Sequence, residues 1–126
     1  MTKKRSRIFK TAWFKRFARK NNITNAVLKK AISDAEKGII DADLGGGVIK
    51  QRIARSGQGK SGGYRTIILF KKEDKAFFMY GFAKNDLDNL SQNEVKEYKK
   101  AAKIYLSMTD EQINAVIAEG EFTEVK

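Results

Sequence analysis

The sequence predicts an α+β fold: an N-terminal helical hairpin, a small antiparallel sheet and a helical C-terminus. Three observations carry that expectation. Apolar residues recur at helical spacing between positions 13 and 35; β-branched and aromatic runs fill 48–54, 64–70 and 76–82; and capping pairs stand at Ser91/Glu94 and Thr109/Gln112.

Residues 7–12 suit a short opening strand. Trp13, Phe14 and Phe17 then suit a short helix with Arg16, Arg19 and Lys20 on its wet side. Thr24 or Asn25 caps a second helix running to Lys37, whose Val27, Leu28, Ala31, Ile32 and Ala35 share one face, and Gly38 supplies the stop. In the strand at 48–54, Ile49, Gln51 and Ile53 fall on one face and Lys50 and Arg52 on the other. Tyr64–Phe70 and Ala76–Phe82 read as further strands, with Lys71–Lys75 a solvated turn between them. A helix bearing Val95, Tyr98, Ala102 and Leu106 follows, then a short one bearing Ile113, Val116 and Ile117.

The 126 residues contain no proline, repeat or low-complexity linker, so a single domain over 1–126 is expected. A chain of this length buries roughly two thirds of its unfolded surface and needs no covalent staple. There is no cysteine and no histidine. That removes disulfides, thiolate zinc sites, the cysteine nucleophile and the Ser-His-Asp hydrolases, so neither metal nor cofactor is expected.

Lys and Arg number 26 against 15 Asp and Glu, a net charge of +11, which favours a polyanionic partner. The excess is concentrated at the start: residues 1–30 hold 11 basic residues and no acid. The longest uncharged apolar stretch, Ala76 to Ala83, is far short of the ~20 residues of a membrane span, so no membrane association is expected. Lys15, Arg16 and Arg19 break any secretory h-region. An acid-free start also mimics a transit peptide or a membrane-surface helix; a basic face on a cytoplasmic nucleic-acid binder requires no processing and is the reading adopted.

The stretch 45–66 is rich in glycine and cations. Gly57-Gln58-Gly59-Lys60-Ser61-Gly62 matches GxGxxG and approaches a P-loop, but Ala54 stands where the P-loop's first glycine belongs. Both motifs also need a helix directly afterwards, and Tyr64–Phe70 is strand-like, which argues against nucleotide binding. What remains is a cation cluster, Lys50, Arg52, Arg55, Lys60 and Arg65, with no acid among them, set on strands and an expected flexible loop. A solvated sheet face beside a mobile loop is the plain alternative. Self-repulsion of the cations, and glycines that let backbone N–H groups approach a phosphate, favour an anion site. Tyr64 and Tyr80 suit either base stacking or packing within the sheet, and packing is preferred for Tyr80.

Gly45-Gly46-Gly47-Val48-Ile49-Lys50-Gln51-Arg52-Ile53-Ala54-Arg55, the glycine-lysine-serine stretch to Thr66, Phe77-Phe78, Tyr80–Asn85 and Asn89-Leu90 together resemble the phage-derived branch of RelE-like toxins. These are toxin halves of type II toxin–antitoxin pairs, and the resemblance covers nearly the whole chain. It implies two helices packed on a mainly antiparallel four-stranded sheet. It also implies cleavage of mRNA, usually on the ribosome, and neutralisation by a cognate antitoxin.

By the same resemblance Lys50 and Arg52 match the paired basic catalytic residues, and Arg65 matches the phosphate-stabilising arginine. Lys84 falls near a further basic position, and Arg55, Lys60 and Tyr64 are candidates for RNA or phosphate contact. The C-terminal acid or base of the family is not located: Leu90 lies near its place, and Tyr98 and Tyr105 follow on the helices. Cleavage through the RNA's own 2′-hydroxyl needs no protein nucleophile and is compatible with a site lacking histidine. The rival readings are a non-catalytic toxin acting on DNA gyrase, whose relatives lack these cations, and a basic nucleic-acid-binding protein without catalysis.

Overall fold

The computed structural model describes residues 6–55, 59–83 and 91–126, with the backbone alone at 55 and 59–62. Its elements, in order, are β1 (Arg7–Thr11), α1 (Ala12–Lys20), α2 (Asn25–Glu36), β2 (Ala42–Gly45), β3 (Val48–Arg55), β4 (Gly59–Lys71), β5 (Lys75–Ala83), α3 (Gln92–Tyr105), α4 (Asp110–Ala118) and β6 (Phe122–Glu124). The strands form one six-stranded mixed sheet in the order β2-β3-β4-β5-β1-β6.

This corrects the expected N-terminal helical hairpin on a four-stranded, mainly antiparallel sheet. The strand expected over 7–12 is present as β1, and it pairs with β5 in parallel, Phe9 beside Phe77. Two short strands that the pattern did not announce extend the sheet to six: β2 lines β3, and β6 lines β1. The expected C-terminal helices are present as α3 and α4, with the short β6 after them. Strand alternation places helices on both faces. Ile8, Ile49, Ile53, Ile68 and Phe78 meet Phe14, Leu28, Ala31 and Ile32 of α1 and α2. Phe9, Val48, Ile67, Leu69 and Phe77 meet Ala102 and Ile113 of α3 and α4.

Local chemistry sets the helix ends. Thr11 and Thr24 cap α1 and α2 by accepting from the N–H of Phe14 and Val27. Ser91/Glu94 and Thr109/Gln112 close reciprocal capping boxes on α3 and α4. Gly38, at φ +84°, ends the turn after α2, where a side chain would be strained.

Two charged residues, Arg7 and Lys75, are structural. Arg7 grips both Glu124 oxygens (3.1 and 2.9 Å) and reaches Asp110 (3.0 Å), tying β1 to β6 and α4. Lys75 is buried, and its ammonium donates to the Met108 carbonyl at 2.6 Å. The 71–75 turn is therefore not simply solvated. Among the described residues no helix is long and apolar enough to cross a membrane.

Candidate functional site

The antiparallel register of β3, β4 and β5 builds two parallel rows of side chains on the sheet face that carries α3 and α4. One row is Arg52–Arg65–Phe82 and the next is Lys50–Ile67–Tyr80. Each member lies directly across the ladder from its neighbour, so three cations from two strands stand on one patch. Ile67 and Phe82 are buried and form its apolar floor. Arg65 is the most enclosed cation, its side chain 17% exposed against 41% for Arg52, and Lys50 is half-buried.

Asp41, in the connection between α2 and β2, joins the two arginines. Its Oδ1 forms an ion pair with Arg52 Nε at 3.2 Å, and its Oδ2 accepts from Arg65 Nη1 at 3.4 Å. On the opposite sheet face, buried Gln51 positions that connection. Its amide nitrogen donates to the Ala31 and Ile39 carbonyls, both at 3.0 Å, and its oxygen accepts the Asp41 N–H at 2.8 Å. Thr66, also buried, donates its hydroxyl to the Gln51 carbonyl. One β3 residue thus serves the fold and its two neighbours serve the patch, as strand alternation requires.

Aromatic side chains continue the patch. Tyr80 stacks on Trp13 at 4.4 Å and leans on Phe82 at 6.1 Å, and Trp13 is 39% exposed. Tyr98 of α3 packs against the same apolar cluster. Burial raises its phenol above the ordinary value, and the neighbouring Tyr80 and Glu94 charges act in the same direction. Tyr105 instead packs on Phe77 and Phe122, the side of the cluster nearest β1 and β6. Of the two tyrosines left open by the sequence, Tyr98 is the one beside the Lys50–Ile67–Tyr80 row.

The remaining expected residues separate. Tyr64 turns to the other face, 6% exposed, where its hydroxyl donates to Asn21 Oδ1 at 3.0 Å and Phe17 meets it edge-on. It is not brought to the cations. Gly59–Gly63 belong to β4, so Lys60 sits on a strand rather than on the expected loop. Arg55 ends β3; the side chains of Arg55 and Lys60, and the whole of Lys84, lie outside the described residues. So do Gly57-Gln58 and Asn89-Leu90. The chain after the glycines is strand and not helix, which removes the support a dinucleotide or P-loop site requires.

Asp41 had no signal in the sequence beyond its place after the Gly38 stop. Its importance follows only from the register that sets Arg52 against Arg65. A cavity of about 760 Å³ lies elsewhere, between α2, β1 and β6, and none of the three cations lines it. Among the described residues no group of three or more acidic, histidine or cysteine side chains is arranged to hold a metal ion.

A mixed sheet covered by helices, presenting Lys50, Arg52 and Arg65 beside Tyr80 and Phe82, defines a small basic protein with a cluster of cations on one sheet face. The family described as the RelE toxin of the RelE/RelB toxin–antitoxin system matches residues 6–125, and the chain belongs to that family. Membership makes it a toxin of a toxin–antitoxin pair and implies an antitoxin as its protein partner.

Proposed function

We propose that this toxin is an endoribonuclease that cuts mRNA on the ribosome, with Lys50, Arg52 and Arg65 as its catalytic cations. The observation that carries the reading is the cross-strand pair Arg52–Arg65 with Lys50 two residues along the same face. Two guanidiniums side by side suit the two non-bridging oxygens of one phosphodiester, and arginine keeps its charge throughout the useful pH range.

The reaction is intramolecular in the RNA. The 2′-oxygen attacks the adjacent phosphorus, the bond to the 5′-oxygen breaks, and a 2′,3′-cyclic phosphate and a 5′-hydroxyl result. The 2′-hydroxyl loses a proton and the leaving 5′-oxygen gains one. Arg52 and Arg65 stabilise the charge that builds on the phosphorane oxygens, a contribution of about 10²–10³ in rate per donor at comparable sites. Lys50 is the one of the three cations suited to proton transfer. The phenol of Tyr98, held protonated by burial, offers a donor beside the same row. The ledge of Tyr80 and Trp13 offers apolar surface to a splayed base. Arg55, Lys60 and Lys84 are taken as further candidates for phosphate contact. Alignment of mRNA by the ribosome suits a site with no histidine, because positioning alone contributes a large share of such catalysis.

Product chemistry tests this. Cleaved RNA should carry a 2′,3′-cyclic phosphate, and 2′-deoxy substitution at the cut nucleotide should abolish cleavage. Cutting of the 2′-deoxy substrate would reject attack by the 2′-oxygen.

A further inference from the structure

We propose that Asp41 is an internal anion that holds Arg52 and Arg65 together before RNA binds and is exchanged for the RNA phosphate on binding. The inference rests on the reading of the cation face given above.

Two like charges directly opposite on neighbouring strands repel, and an anion between them relieves the repulsion. Asp41 supplies one, with one oxygen to each arginine at 3.2 and 3.4 Å. The carboxylate is not a surface side chain that happens to reach over. Gln51, 4% exposed, holds the backbone leading to it through the Ile39 carbonyl and the Asp41 N–H, and anchors both to α2 at the Ala31 carbonyl.

The contacts are also built to be given up. The contact to Arg65 is a long hydrogen bond from Nη1, and that to Arg52 is an ion pair to Nε. Both distances exceed the roughly 2.7–2.9 Å of strong charge-assisted bonds. The Asp41 side chain is 21% exposed, so an incoming phosphate has access to it. A phosphodiester presents the same two-oxygen edge. Asp41 therefore sets the spacing of the two guanidiniums before RNA arrives and lowers affinity for stray anions meanwhile.

Asp41→Asn keeps the shape and removes the charge. Its affinity for a 2′-O-methyl oligoribonucleotide, which cannot be cleaved by 2′-oxygen attack, should rise about fivefold or more at low salt. The dependence of log affinity on log salt should steepen by about 0.7, the increment for one more released counterion on a single strand. Asp43→Asn removes an equal charge nearby, on a carboxylate that accepts from the Gly45 N–H instead of an arginine, and should leave both quantities close to wild type. Unchanged or weaker binding by Asp41→Asn, or an equal gain in Asp43→Asn, overturns the proposal.

If Asp41→Asn does not fold, the Arg52 Nε–H resonance of the wild-type chain is followed during titration with the same oligonucleotide. A shift is expected as its partner changes, and an unmoved resonance overturns the exchange. The binding assay needs no cleavage, so a wild type that fails to cut mRNA while Asp41→Asn binds tighter rejects the nuclease reading and keeps the exchange. Equal binding by wild type and Arg52→Ala rejects the cation face as the RNA site, and the exchange with it.

Discussion

Arg52 and Arg65 stand directly opposite each other on β3 and β4, and one carboxylate, Asp41, touches both. The relationship depends on register: a slip of one residue would turn one arginine into the core beneath α1 and α2. Gln51 and Thr66, the next pair along the ladder, are buried on that other face and bonded to each other, which locks the register in place. The site is thus a consequence of how the sheet is pinned from behind.

Replacing either arginine should disable cleavage without unfolding the chain. Arg52→Ala and Arg65→Lys are each expected to lower single-turnover cleavage about 10²–10³-fold. Lysine keeps the charge at 65 but not the planar fork, so its loss separates geometry from charge. Quenched-flow cleavage of ribosome-bound mRNA measures it, and near-wild-type rates in both variants would exclude the pair from the reaction.

Gln51→Leu should be costly although it touches no substrate. It removes the partner of the buried Ala31 carbonyl, which costs about 1–3 kcal/mol when left unsatisfied, and those of the part-buried Ile39 carbonyl and Asp41 N–H. Urea unfolding should show a clear fall in midpoint, larger than that of Arg52→Ala at the half-open surface of the sheet.

Much of the architecture was legible because its elements are long and locally consistent. The helices at Trp13–Phe17 and Val27–Ala35, the strands around Lys50, Thr66 and Phe78, and both capping boxes carry their own periodicity or end signals. Lys50 and Arg52 were placed on the right face by alternation alone. Beyond that, tertiary pairing decides. Ala42–Gly45 and Phe122–Glu124 are too short to show a period, and they are strands only because β3 and β1 offer them an edge. Composition disfavoured a strand at Gly59–Gly63, yet that stretch continues β4. Tyr64 and Arg65 are adjacent in sequence and therefore on opposite faces, so the aromatic expected at the site became core. Lys75 and Asp41 depend on partners 33 and 24 residues away, which no local pattern encodes.

Gly81→Ala should destabilise the sheet through crowding. A Cβ there would lie 2.5 Å from the Phe17 ring, a contact that forces the ring or the strand to shift. Overpacking of this kind costs about 1–3 kcal/mol. Adding Phe17→Leu should recover part of the loss, and equilibrium unfolding of the two single variants and the double reads the coupling. Additive effects would place the cause elsewhere.

Acid sensitivity should be traceable to Glu124. The hydrogen bonds from Arg7 hold its carboxyl below the usual 4.5, against the opposing effect of burial. A depressed native value contributes stability above the unfolded value and loses it as pH falls through the native one. Stability should therefore decline below about pH 4.5, and Glu124→Gln should be less stable than wild type at neutral pH with a flatter acid limb. Urea midpoints from pH 7 to 3 test this; parallel curves for the two proteins would remove Glu124 from the acid response.

The most direct test of the central claim adds the purified toxin to a translation reaction and maps new mRNA 5′ ends by primer extension. Arg65→Ala, shown by circular dichroism to be folded, and a reaction without ribosomes run beside it. The account predicts codon-phased cuts with the wild-type chain that disappear with Arg65→Ala and without ribosomes. Intact mRNA in the presence of folded wild-type protein, or the same cuts made by Arg65→Ala, would contradict it.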